Sequence, residues 1–119
     1  MATHNEIGKK GEQLAQDLLL AKNYEILATN WRYKKAEIDI IALHNNMLVV
    51  VEVKTRTSTL VGLPYEAVSK SKIKLLVLAI NQYVIENDLD NEIRFDIISI
   101  VLENNQQNIE HIENAFYHF

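Results

Sequence analysis

Two β-rich runs decide the fold: Glu37-Ile-Asp-Ile-Ile-Ala-Leu43 and Leu48-Val-Val-Val-Glu-Val-Lys-Thr55, joined by His44-Asn-Asn-Met47. Asparagine tolerates positive φ, so Asn45 and Asn46 predict the tip of a two-residue hairpin. With that tip, paired positions sum to 91, which sets Asp39 opposite Glu52 and Glu37 opposite Lys54. The second run is apolar on both faces and belongs at the centre of a sheet covered on both sides. Period-2 alternation places Glu37, Asp39, Glu52 and Lys54 on one face, where directly opposed like charges are destabilising. Three carboxylates and one ammonium among valines and isoleucines need compensation. A hard divalent cation between Asp39 and Glu52 supplies it, since magnesium prefers oxygen ligands and keeps waters that can react. Lys54 stands where it can orient such a water or neutralise a phosphate. The structural alternative is a buried Glu37–Lys54 ion pair, with Asp39 and Glu52 satisfied by backbone amides.

Outward from the hairpin, Thr3 and Glu6 have capping-box spacing and predict a helix from near His4 to about Lys22. Its apolar arc is Ile7, Leu14, Ala15, Leu18 and Leu19, with Gly8 and Gly11 inside it and Glu12 on its border. The glycines cost helix propensity, which suggests close approach to another element. Glu12 then leans toward what the helix covers and is a candidate second metal ligand or water anchor. Tyr24 to Tyr33 predicts an extended segment, Glu66 to about Asn87 a long helix, and Ile93 to Leu102 a strand with Arg94 and Asp96 on one face. Asn104 to Asn108 predicts a turn and Ile109 to Phe116 an edge strand. The order α-β-β-β-α-β-β implies one α/β sandwich of mixed pairing over residues 1–119.

The chain has 119 residues, 48% hydrophobic and 24% charged, which fits one globular domain and excludes a disordered tail or fibrous repeat. Absence of cysteine removes disulfides, thiolate nucleophiles, zinc ribbons and iron–sulfur clusters. No apolar run reaches a membrane span and no signal pattern opens the sequence, so a cytoplasmic home without membrane association is expected. A net charge of −4 argues against nucleic acid, but the charge is divided. Residues 1–74 hold 11 basic and 8 acidic residues, and residues 75–119 hold Arg94 against 8 acids. The first part is where a polyanion docks.

Asp39 followed by Glu52-x-Lys54 resembles the Asp…Glu-x-Lys signature of restriction-endonuclease-like (PD-(D/E)XK) nucleases. More closely, Gly8-x-x-Gly11-Glu12, Glu37-Ile-Asp-Ile-Ile-Ala42, Val51-Glu-Val-Lys-Thr-Arg56, Gly62-x-Pro64-x-Glu66-Ala-Val68, Lys72 and Arg94-Phe-Asp96 resemble the uncharacterised bacterial YraN-like family, which is similar to archaeal Holliday-junction resolvases. The resemblance runs from about Ile7 to Ile100. It implies a three-layer α/β/α sandwich around a central mixed sheet, with Asp39, Glu52 and Glu12 as metal ligands for Mg2+ or Mn2+. It implies Lys54 as the catalytic lysine. The family pattern usually has Gly before Glu-Ile-Asp, and this chain has Ala36.

Arg56, Lys72, Lys70, Lys34, Lys35 and Arg32 are the candidate nucleic-acid contacts. Lysines 70, 72 and 74 open a helix, where the dipole disfavours cations, and this suggests phosphate contacts. Trp31 and Tyr33 are assigned to packing, and the four histidines, lacking metal spacing, to the surface or the termini. The expected function is metal-dependent phosphodiester hydrolysis on branched or structured DNA, with DNA ahead of RNA. A junction substrate calls for two active sites and therefore a homodimer. The alternatives are a catalytically silent nucleic-acid-binding module and a protein-interaction domain using the acidic second part.

Overall fold

The computed structural model describes residues 3–57 and 68–116. Its elements run α1 (His4–Ala21), β1 (Glu25–Tyr33), β2 (Ala36–His44), β3 (Met47–Arg56), α2 (Lys70–Glu86), β4 (Glu92–Glu103) and β5 (Gln106–Ile112). The five strands form one sheet in chain order, with β3 at its centre. β3 and β4 are parallel, and the other neighbours are antiparallel, so the sheet is mixed as expected.

Local chemistry explains the boundaries. The Thr3 hydroxyl accepts from the Glu6 amide at 3.2 Å and starts α1. Asn45 and Asn46 sit at φ 50° and 64°, and the ladder pairs Ile40 with Val51, the register the two-residue tip requires. Asn104 and Asn105 repeat this device at φ 53° and 62°. The predicted turn over 104–108 is therefore too long: two left-handed asparagines reverse the chain, and Gln106 and Gln107 already pair with β4. β5 accordingly begins at Gln106 and ends at Ile112, short of Phe116. The second helix also begins later than expected, at Lys70, because Ser69 caps it by accepting from the Lys72 amide at 3.1 Å. Gly62, Pro64, Glu66 and Ala67 lie outside the described residues.

The two helices cover opposite faces of the sheet. On one side Ala15 and Leu19 of α1 meet Ile40, Ala42, Val49, Val51, Ile98 and Ile100. On the other, Leu76, Ala79, Ile80 and Tyr83 of α2 meet Ile38, Ile41, Leu48, Val50 and Phe95. This is the three-layer α/β/α arrangement, and β3 is buried on both faces. Ala36 is buried within the α2-side cluster, so its methyl serves as packing. Trp31 stands edge-on to Tyr83 with ring centroids 5.3 Å apart, which bears out packing as its role. No helix among the described residues is long and apolar enough to cross a membrane.

The topology sorts the termini. α2 returns antiparallel to the β3/β4 pair, so its first turn lies at the carboxyl end of β3, where Lys72 meets Glu52. The first turn of α1 lies at that end too, sharing a groove with Thr55, Arg56 and the β4–β5 turn. The β1–β2 turn at Lys34 and Lys35 joins them, because Tyr33 pairs with Ala36 at the start of β2. In parallel α/β architecture ligands collect at the carboxyl ends of strands.

Candidate active site

Beyond Ile40 and Val51 the β2–β3 ladder stops, and side chains take over from backbone. The Val53 amide donates to Asp39 Oδ2 at 2.8 Å, and the Asp39 amide donates to Glu52 Oε2 at 3.4 Å. Each carboxylate thus meets the other residue's strand. Strand alternation breaks at the same place: Ala36 and Ile38 belong to the α2-side cluster, as does Ile41, whereas Ile40 and Ala42 belong to the α1-side cluster. The break opens the sheet where the two acids stand. Asp39 and Glu52 are brought together, but through each other's strand amides rather than as the directly opposed ladder pair the register predicts.

The expected Glu37–Lys54 contact does not form, because the ladder ends before it. Glu37 turns instead to its β1 neighbour Arg32, at 2.7 Å. That removes the buried Glu37–Lys54 ion pair as the structural explanation of the acids, and it also occupies Arg32, one of the candidate nucleic-acid contacts. Lys54 is half-buried and makes no hydrogen bond or ion pair with the described residues. The lysine that does meet Glu52 is Lys72, with Nζ 3.2 Å from Oε1. Sequence reasoning placed Lys72 among peripheral phosphate contacts. Its signal was the cation in a helix first turn with no acid beside it.

The electrostatics are those of an under-compensated pair. Glu52 is 2% exposed, and burial, reinforced by the Asp39 charge and opposed by Lys72, pushes its pKa up to about 7. Burial also raises Asp39, against the Val53 amide and Lys72, which lower it. Glu12 is raised by burial first and then by Asp39 and Glu37, so α1 does bring its border acid into the field of Asp39. Gly11 makes this possible. A Cβ there would stand 2.8 and 2.9 Å from Cβ and Cγ2 of Thr55, whereas one at Gly8 would meet nothing within 4 Å. Only Gly11 therefore has the close-approach role expected of both glycines.

Among the described residues no three acidic or imidazole side chains form a group able to hold a metal ion by themselves. The donor set is Asp39 and Glu52, with Glu12 nearby. Magnesium binds through one or two carboxylates and keeps several waters, so a hard cation fits this pair, and a buried carboxylate already drawing an ammonium shows that the site attracts positive charge. The remaining candidate contacts surround the same end. Lys34 and Lys35 are exposed in the β1–β2 turn, with Lys34 Nζ 5.3 Å from the Tyr33 ring centroid. Lys70 is exposed in the first turn of α2, and Arg56 lines an open groove of about 1070 Å³ beside α1.

A second polar cluster went unrecognised in the sequence. Asp96, 0% exposed, accepts from Arg94 Nε at 2.9 Å, Arg94 Nη2 at 2.8 Å, His111 Nε2 at 2.7 Å and the Asn114 amide at 3.0 Å. Lys22 Nζ donates to His111 Nδ1 at 2.7 Å, which assigns the ring proton to Nε2. Arg94 also donates to the Tyr24 hydroxyl at 2.6 Å, and His44 stacks on Tyr24 with centroids 3.9 Å apart. His111 is therefore hydrogen-bonded through both ring nitrogens and His44 is stacked in the packing, contrary to the surface assignment. The same-face spacing of Arg94 and Asp96 was visible; their partner 15 residues on was not.

Residues 11–100 match the uncharacterised protein family UPF0102. The chain is 58% identical over 119 residues to a UPF0102 protein of Flavobacterium psychrophilum and 52% identical over 119 residues to one of Christiangramia forsetii, with all of each chain covered. It is 45% identical over 117 residues to one of Phocaeicola vulgatus, covering 98% of this chain and 97% of that one.

Proposed function

We propose that this chain, which belongs to the uncharacterised protein family UPF0102, is a nuclease-like protein that hydrolyses phosphodiesters in branched or structured DNA with Mg2+ or Mn2+. The observation that carries this reading is the interlocked Asp39–Glu52 pair at the carboxyl end of the central strand, both acids raised above their ordinary range. Asp39 and Glu52 would hold the cation, whose chemistry is charge neutralisation at the phosphate and a more acidic water. Val53 N–H fixes the Asp39 rotamer, and the Asp39 amide orients Glu52. Lys54, free of other partners among the described residues, offers its ammonium to a non-bridging phosphate oxygen. Glu12, with its raised affinity for protons, anchors the water. Lys34, Lys35, Lys70 and Arg56 track the backbone of the bound strand, and the acidic second part of the chain is kept from the polyanion. A four-way substrate would be served by two copies of the chain, one site per scissile strand.

The test is incubation of purified protein with Mg2+ or Mn2+ and plasmid, single-stranded, flap and four-way-junction DNA, against Glu52→Ala and EDTA controls. Cleavage lost in both controls is expected; substrates left intact to the level of Glu52→Ala overturn the enzyme reading. The 3.2 Å Lys72–Glu52 contact favours a second reading, a silent nucleic-acid-binding module whose acid already has its counter-ion. Salt-dependent DNA binding that survives both EDTA and Asp39→Asn would support that one.

A further inference from the structure

Glu52 has both carboxylate oxygens engaged: Oε2 accepts from the Asp39 amide and Oε1 from Lys72 Nζ. Lys72 comes from the first turn of α2, where the helix dipole disfavours a cation, and its neighbours Lys70 and Lys74 point to solvent. Among the described residues, only the contact with Glu52 offsets that placement. The Lys72 side chain is 36% exposed on a flexible four-carbon stem, so it can leave the carboxylate without moving the helix. Arg94 on Asp96 differs: it is 14% exposed and held through two nitrogens of a rigid fork.

We propose that Lys72 is the resident counter-ion of the Asp39–Glu52 pair, and that it and a divalent cation hold Glu52 Oε1 in alternation. An ammonium and a divalent ion on one oxygen repel each other at close range, so arrival of the metal expels the lysine. The expelled ammonium stays at the carboxyl end of β3, where a phosphodiester docks, and becomes a phosphate contact there. Lys72 is thus a positioning residue in one state and a substrate contact in the other. This rests on the metal-binding part of the proposed function.

The test is Mn2+ binding without nucleic acid, by calorimetry, for the wild type, Lys72→Met and Lys74→Met, the last removing the same charge without touching Glu52. Lys72→Met is expected to bind Mn2+ about tenfold tighter than the wild type, and Lys74→Met within about twofold of it. Lys72→Met should also lose thermal stability in EDTA and regain it with Mn2+, which a solvated lysine would not produce. If Lys72→Met does not fold, Lys72→Gln, which keeps a donor for Oε1, must give the same order. Wild-type binding of Mn2+ with no tightening in Lys72→Met beyond Lys74→Met overturns the alternation and leaves the metal site standing. Absence of Mn2+ binding in all variants overturns both.

Discussion

Glu52 and Asp96 are both buried carboxylates in neighbouring parallel strands, yet the protein treats them in opposite ways. Burial alone would raise Asp96, but hydrogen bonds from His111, Arg94 and Asn114 outweigh it and hold its pKa below the ordinary range. Glu52 has one long amide contact and one lysine, shares its site with a second acid, and is pushed up to about 7. Asp96 carries a complete set of donors from β4, β5 and the turn after β5 and makes a fold-fixing knot. Glu52 is left short of donors at the end of the sheet where both helices begin. Structural acids are saturated by their own chain; an acid kept for an external cation is not.

The comparison breaks most visibly at Arg94. Arg94→Ala strands Asp96 as a buried charge and should cost about 3–5 kcal/mol, checked by denaturant unfolding. Glu52→Gln should behave oppositely. A carboxyl whose folded pKa is raised from 4.5 to about 7 contributes stability that is complete below 4.5 and lost as pH rises through 7. The wild type should therefore weaken between about pH 5 and pH 8, and Glu52→Gln should flatten that fall and be more stable at pH 8, by on the order of 3 kcal/mol. Gly11→Ala drives a methyl into Thr55 and should cost roughly 1–3 kcal/mol while displacing Glu12 from the pair. Gly8→Ala, with open space around it, should gain up to about 1 kcal/mol in thermal unfolding without touching the site.

Much of this was legible from short-range rules. Asn45-Asn46 set the hairpin register as far as Ile40 and Val51, next to Asp39 and Glu52, and the valine run placed β3 at the centre. Thr3-x-x-Glu6 located the start of α1. What escaped was set by distant chain segments. The ladder ends at Ile40 and Val51, and beyond it Glu37 pairs with Arg32 and Asp39 with the Val53 amide, an arrangement alternation does not encode. Lys72 reaches Glu52 only because α2 folds back across the sheet, and His111 reaches Asp96 only because β5 pairs with β4. The pattern of charged residues showed that compensation was needed and left its source open.

The most direct measurement is a carbon-detected NMR titration of the side-chain carboxyls of the wild-type protein, with and without Mg2+. The account predicts a Glu52 midpoint near 7 that falls when Mg2+ is added, beside an Asp96 midpoint below the ordinary 3.8 that does not move. A Glu52 midpoint at or below 4.5, or one indifferent to Mg2+, would contradict it.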